Sequence, residues 1–244
     1  MVPAGAVPLN GFNVGIERMN IQKLSIGPNE IQSAYDALGH EWGWSFLSGP
    51  ETQLYEAKTV IVGLNPARAH GDNPSDYGTH WDVPEGNIYF SKNWGGGEEY
   101  TALQSQLLRW FELLHLGPKQ TIGANFVPFR SRSWAKLARP KESIQFAERL
   151  WQDVIKVTPA PLFITMGKDA GWYLAQALSN RLVARLPSGW GKQTIDVYDG
   201  TSGRRIVAMP HPSRFKLFNR GEASLTAEAS FLAACDMELP FTAN

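Results

Sequence analysis

Four short apolar runs, each closing on a polar residue, a proline or a glycine, constrain this chain more than any other feature. Residues 57–64 (AKTVIVGL) halt at Asn65-Pro66, and residues 121–129 (TIGANFVPF) carry Asn125 and Pro128. Residues 161–166 (PLFITM) halt at Gly167, and residues 205–209 (RIVAM) halt at Pro210-His211-Pro212-Ser213. Runs of this length, rich in valine and isoleucine, predict strands buried on both faces. Between them lie segments with the 3.6-residue spacing of helices. These are residues 31–44, stopped near Gly39, and 101–116, with Leu103, Leu107, Trp110, Phe111 and Leu114 in register. Residues 142–157, 167–178 and 224–236 follow the same rule. Strands alternating with helices predict an α/β chain: a three-layer sandwich with a central, mostly parallel four-stranded sheet flanked by helices. Residues 182–187 and 194–198 are read as a short strand pair or as a detour before the last core strand.

At 244 residues, with 43% hydrophobic and 19% charged side chains, the chain is long enough for one large domain and too apolar for disorder. The expectation is one domain over residues 1–244, with an N-terminal extension over about residues 1–25. No apolar run approaches the length needed to cross a bilayer, and the first ten residues lack the charged start of a secretory signal. The single cysteine, Cys235, excludes an internal disulfide and an all-cysteine metal or iron–sulfur site. A cytoplasmic monomer without cofactor or metal is expected. Twenty-three basic residues balance 23 acidic ones, which argues against a protein that coats nucleic acid by charge alone. Local cationic segments remain: Arg130, Arg132, Lys136, Arg139 and Lys141 in one, Arg214, Lys216 and Arg220 in another, neither interrupted by an acid.

In sheets of this kind ligands bind beyond the carboxyl ends of the strands, so chemistry is sought at residues 63–67, 125–130, 166–168 and 210–214. Gly63 allows close approach to the backbone, and Asn65 offers a donor and an acceptor, although Asn-Pro is also a common turn opener. His211 is stiffened by a proline on either side, which suits hydrogen bonding to a developing anion or proton transfer; a histidine satisfied within its own turn is the plainer alternative. Asn125 repeats the pairing of a polar group with a nearby proline.

Taken together, a strand ending in Gly63-Leu64-Asn65-Pro66 and a late strand ending in His211-Pro212-Ser213 resemble the two active-site motifs of the uracil-DNA glycosylase superfamily. The asparagine is similar to that of its mismatch-specific and single-strand-selective branches. The resemblance implies a hydrolase that flips out uracil or a related damaged base and cleaves its N-glycosidic bond, without cofactor. It implies that Asn65 positions the hydrolytic water and that His211 hydrogen-bonds the base O2 as negative charge grows there. Asn125 would read the base edge, and Gly63 and Leu64 would approach the base. Phe90 would stack on it, with Tyr89 the other candidate. Ser213 would touch a backbone phosphate. Three departures stand out: Ala67 replaces the usual glycine of the first motif, Arg214 replaces the usual proline or glycine after the second, and the loop over residues 71–97 is longer and richer in tryptophan than the family's.

A base in a duplex has to leave its stack before it is cleaved, so such an enzyme needs a wedge and phosphate anchors. Phe215 or Leu217 is read as the wedge, and Arg214, Lys216 and Arg220 as anchors; an amphipathic turn packed on the core is the alternative. DNA is the expected partner. His70-Gly71-Asp72 and His80-Trp81-Asp82 lack metal-ligand spacing. Asp72 or Asp76 offers an alternative water-activating carboxylate. Gly167-Lys168 is read as helix capping before anion binding. Trp110, Trp151 and Trp172 are expected in the core, whereas Trp81, Trp94 and Trp190 lie in polar loops and either stack on bases or cover the core. Two further functions stay open: a catalytically silent nucleic-acid or nucleobase-binding module, and an unrelated small-molecule hydrolase using the same crevice.

Overall fold

Strands that are apolar at every position belong in the middle of a layered fold. Residues Thr59–Gly63, Leu162–Met166 and Arg205–Met209 lie there, apolar but for Thr59, Thr165 and Arg205 and with every position buried. The computed structural model describes residues 23–66, 73, 78–92, 98–201 and 203–236. Residues 1–22 of the expected extension lie outside the described residues, as do Ala67, His70, Asp72, Asp76 and Trp94.

In chain order the strands are β1 (Trp44–Ser45), β2 (Thr59–Gly63), β3 (Thr79–His80), β4 (Thr121–Asn125), β5 (Leu162–Met166), β6 (Arg181–Pro187), β7 (Thr194–Asp199) and β8 (Arg205–Met209). The helices are α1 (Pro28–Ala37), α2 (Ala102–Leu113), α3 (Pro140–Val157), α4 (Lys168–Ala177) and α5 (Leu225–Cys235). Prolines at the first turns of α1 and α3 sit where a missing N–H costs nothing. Thr101 and Gln104 cap α2 reciprocally: Gln104 N–H donates to Thr101 Oγ1 at 3.2 Å and Thr101 N–H to Gln104 Oε1 at 2.9 Å.

The sheet has six strands in the order β4-β2-β5-β8-β7-β6, not four. The first four are parallel. The pair at 181–187 and 194–199 is a hairpin that joins β8 antiparallel and extends the sheet. The run after Asn125 is no longer strand. It keeps the hydrogen-bonding line of β2 alive: Phe126 N–H donates to Gly63 O at 2.7 Å and Val127 N–H to Leu64 O at 2.9 Å.

Two apolar clusters fill the two faces. One holds Val60, Val62, Ala124, Phe163 and Ala208 with Phe146, Trp151 and Leu174 of α3 and α4. The other holds Ile61, Ile164, Met166, Val207 and Met209 with Leu107, Trp110, Phe111 and Phe231 of α2 and α5. This is the three-layer sandwich that the alternation predicts. Trp110 and Trp151 are buried as expected, but Trp172 is 50% exposed, because the face of α4 that meets the sheet is set by Ala170, Leu174 and Ala175.

The outer edge of β4 is covered. Residues 45–48 run along it, with Ser48 N–H donating to Gly123 O at 2.8 Å and Asn125 N–H donating to Phe46 O at 3.1 Å. This cover matters to the site, because it supplies the carbonyl of Ser45.

Candidate active site

The four strand ends meet along one edge of the sheet. Gly63 pairs in register with Asn125 on β4, and Met166 with Met209 on β8. Gly167 N–H donates to Met209 O at 3.1 Å. Side chains alternate across a strand, and Ile122 and Ala124 belong to the α3/α4 face. Asn125 therefore points to the α2/α5 face, shared by Met166, Met209, Tyr89 and Phe90. Across the edge the order is Asn125, Gly63, Met166-Gly167, then His211, whose Cδ2 would lie 3.4 Å from a Cβ at Gly167. Asn125 and His211 thus stand three strand spacings apart, roughly 14 Å backbone to backbone, wide enough for a flat pyrimidine between two side chains.

A glycine is needed in the floor. A Cβ at Gly63 would come within 2.9 Å of Asn125 Oδ1 and 3.3 Å of Met166 Cε. The Asn125 amide is oriented by the main chain: Nδ2 donates to Ser45 O at 3.1 Å. A carbonyl oxygen only accepts, so the amide nitrogen has to face it and Oδ1 has to face the floor. The same logic orients Asn65, whose Nδ2 donates to Ser131 Oγ at 2.9 Å and Phe129 O at 3.4 Å. Its Oδ1 is the acceptor end of the amide, able to take a hydrogen bond.

His211 is held in one neutral form. Its Nδ1 accepts the Ser213 N–H at 3.3 Å and lies 2.8 Å from Ser213 Oγ. With Nδ1 as acceptor, the ring proton belongs on Nε2. Burial, and secondarily the Arg214 guanidinium, hold its pKa below the ordinary histidine value of 6.5.

Phe90 ends a short turn, Ile88–Phe90, and its ring stacks on Phe111 of α2 at 4.9 Å. Tyr89 is not available to a ligand: it is 5% exposed, with its ring over Gly123. Two buried amides that the sequence reading missed fix this turn. Asn87 Nδ2 donates to Thr121 O at 3.0 Å, and Gln104 Nε2 donates to Ser91 O at 2.6 Å and Ile88 O at 3.2 Å. The Thr101-x-x-Gln104 capping pattern was a visible signal for the second; nothing in the local sequence marks the first.

The segment after His211 divides by burial. Ser213, Arg214 and Lys216 are exposed and Phe215 is half-buried. Leu217 is 1% exposed and packs in the α2/α5 cluster beside Phe218, so it is corrected from wedge to core. The buried Gln106 enforces this register, accepting Phe218 N–H at 2.9 Å and donating to Phe218 O at 3.1 Å. Arg220 is corrected as well. Its guanidinium donates to Ala223 O at 2.8 Å and lies 4.7 Å from the Trp190 ring, so the protein itself uses it.

Lys168 does not cap an anion. Its ammonium bonds Thr194 and Asp196, tying the start of α4 to β7. Asp82 accepts the Glu51 N–H at 3.0 Å. Among the described residues no group of three His, Cys, Asp or Glu could hold a metal ion. A cavity of about 130 Å³ lies behind Ser131, lined by His40, Trp42, Arg130 and Lys136. A wider one, about 550 Å³, is lined by Arg181, Val183 and Asp199. It lies at the opposite edge of the sheet and touches none of the four strand ends.

Fold and site together define an α/β protein whose parallel strand ends carry two oriented amides and a neutral imidazole, with an aromatic ring on the α2/α5 face. Residues 50–233 match the family described as the uracil DNA glycosylase superfamily. The chain belongs to that superfamily, which makes it a DNA glycosylase-like protein. No curated protein matches it. Among the described residues no helix is long and apolar enough to cross a membrane.

Proposed function

We propose that this chain is a monofunctional uracil-DNA glycosylase-type hydrolase, with residues 1–244 forming one cytoplasmic, monomeric, cofactor-free domain. The observation that carries the reading is the amide of Asn125, turned by the Ser45 carbonyl. Oδ1 then accepts from N3–H of uracil, and the second Nδ2 proton donates to O4. Cytosine presents the reverse pattern at both atoms, and turning the amide to suit it would break the bond to Ser45.

The chemistry follows from charge. As the N-glycosidic bond stretches, electrons pass to the base and collect at O2, while the sugar becomes oxocarbenium-like. His211 donates a hydrogen bond from Nε2 to O2, an interaction stronger in the transition state than in the substrate. Asn65 Oδ1 holds a water, whose oxygen bonds to the sugar C1′ as the C1′–N1 bond breaks; one water proton passes to solvent, and the departing base anion takes one up from solvent. The products are an abasic site and the free base. Phe90 stacks on the extruded ring, Gly63 and Leu64 let it approach the strand end, and Ser213, Arg214 and Lys216 face the phosphates. The asparagine at 65 favours a place near the mismatch-specific and single-strand-selective branches.

The test is uracil release from single- and double-stranded oligonucleotides. Asn65→Ala and His211→Ala should each lose on the order of 10²–10³-fold in rate, the size expected for losing one preorganised partner. A catalytically silent base-binding module is the second reading, favoured by the formal net charge of zero. Tight binding of uracil-containing DNA by the wild type without release would establish it and end the first.

A further inference from the structure

Extruding a base leaves a gap in the stack, and with Leu217 in the core something else has to fill it. We propose that the tip of the β6–β7 hairpin does so, with Trp190 as the residue that enters the gap and stacks on the bases left there, backed by Phe215. The proposal rests on the base-extruding reading of the site.

Strand register brings the tip to the right edge. Thr194 pairs with Pro187, and Asp196 with Ala208. Residues 188–193 therefore lie beyond Met209, beside Pro210 and His211. The tip is held firmly. Ser188 is fully buried, its N–H and hydroxyl both donate to Gln193 O at 3.2 and 2.8 Å, and Gln193 N–H donates to Trp190 O at 3.0 Å. Gly189 and Gly191 adopt φ of +68° and +52°, left-handed values that side chains rarely take. The pair of turns presents the residue between them.

That residue is a large apolar ring held in the open. Trp190 is 38% exposed, its ring meets the Phe215 ring edge-on at 6.2 Å, and the Arg220 guanidinium covers it at 4.7 Å. Exposing a tryptophan at a rigid tip forgoes burial, and no core position requires it there. Its surroundings favour an anionic polymer: Lys192, Arg214 and Lys216 are exposed on the same tip and the adjoining loop. An aromatic face flanked by cations suits a base between two phosphates.

The test uses the full chain and two duplexes of one sequence, intact or carrying a tetrahydrofuran abasic analogue, so no cleavage is needed. Wild type is expected to prefer the abasic duplex. Trp190→Ala should lower affinity for it about tenfold, the scale of one lost base–aromatic stack, with affinity for the intact duplex unchanged. Trp190→Phe should keep the preference. A 2-aminopurine opposite the gap should be quenched by wild type and Trp190→Phe, and less by Trp190→Ala. Equal losses on both duplexes, or no loss, overturn the role of Trp190 while leaving the base-extruding reading intact. A wild type that does not distinguish the two duplexes removes that reading, and this proposal with it.

Discussion

Adding one methyl group to the floor of the crevice separates the geometry described above from a looser one. In Gly63→Ala the new Cβ lies 2.9 Å from Asn125 Oδ1, so the oxygen has to retreat by about half an ångström to reach ordinary contact. The amide has little room to do so. Its Nδ2 is tied to Ser45 O at 3.1 Å and its backbone N–H to Phe46 O at 3.1 Å. Met166 Cε, at 3.3 Å, ends a flexible side chain and yields more easily. Distorting one hydrogen bond costs about 1 kcal/mol, and a displacement of about 1 Å at a reacting centre costs roughly a hundredfold. The expected loss in kcat/KM for uracil release is therefore about tenfold. The backbone at Gly63 is outside the left-handed region, so folding should be spared and the melting temperature should stay within a few degrees. Single-turnover release from a uracil oligonucleotide, beside a thermal melt, measures both. Adding Met166→Ala should not rescue the variant, because the tight contact is with the amide. Undiminished release by a fully folded Gly63→Ala protein would refute the placement of the base over this glycine.

Two further outcomes follow from two histidines, the half-buried His211 and the buried His40. Because Arg214 helps hold the His211 pKa down, Arg214→Ala should raise it and move the acid limb of the kcat/KM profile to higher pH; a shift to lower pH would contradict the assigned neutral imidazole. His40 is 7% exposed, bonded to Ser143 Oγ at 3.0 Å, and burial lowers its pKa from 6.5 to about 4. Between those values the unfolded chain binds more protons, so stability rises with pH across that window and falls on acidification. His40 should account for about 2 kcal/mol of stability lost between pH 7 and pH 5. Urea unfolding at both pH values, with His40→Gln losing less than wild type, checks it; equal losses would count against it.

Much of this architecture was legible because burial writes itself into periodicity. Strands β2, β5 and β8 are dominated by apolar residues and buried at every position, and the rule that ligands gather at carboxyl ends of parallel strands directed attention to Gly63, Asn65, Asn125 and His211. What escaped the reading depends on groups without a sequence signature. The cover along β4 is made by backbone atoms of Ser45, Phe46 and Ser48 in a stretch with no regular spacing. Leu217 and Phe215 look equivalent in a short amphipathic run, and only Gln106, distant in the chain, decides which of them goes inside. Trp172 carries an apolar side chain at a helical position, yet Ala170, Leu174 and Ala175 set the face of α4 that meets the sheet. The β6–β7 hairpin was visible as two strand-like runs, but its attachment to β8 was not.

The Asn125 amide takes its orientation from a peptide oxygen, that of Ser45, whereas Asn65 also bonds the Ser131 hydroxyl. Every amino acid carries such an oxygen. Drift in the side chain at 45 can therefore proceed without turning the Asn125 amide, so long as the chain keeps its path. The orientation of that amide is then inherited through the trace of the polypeptide, and altering it would take a change in loop length more readily than a change of letter.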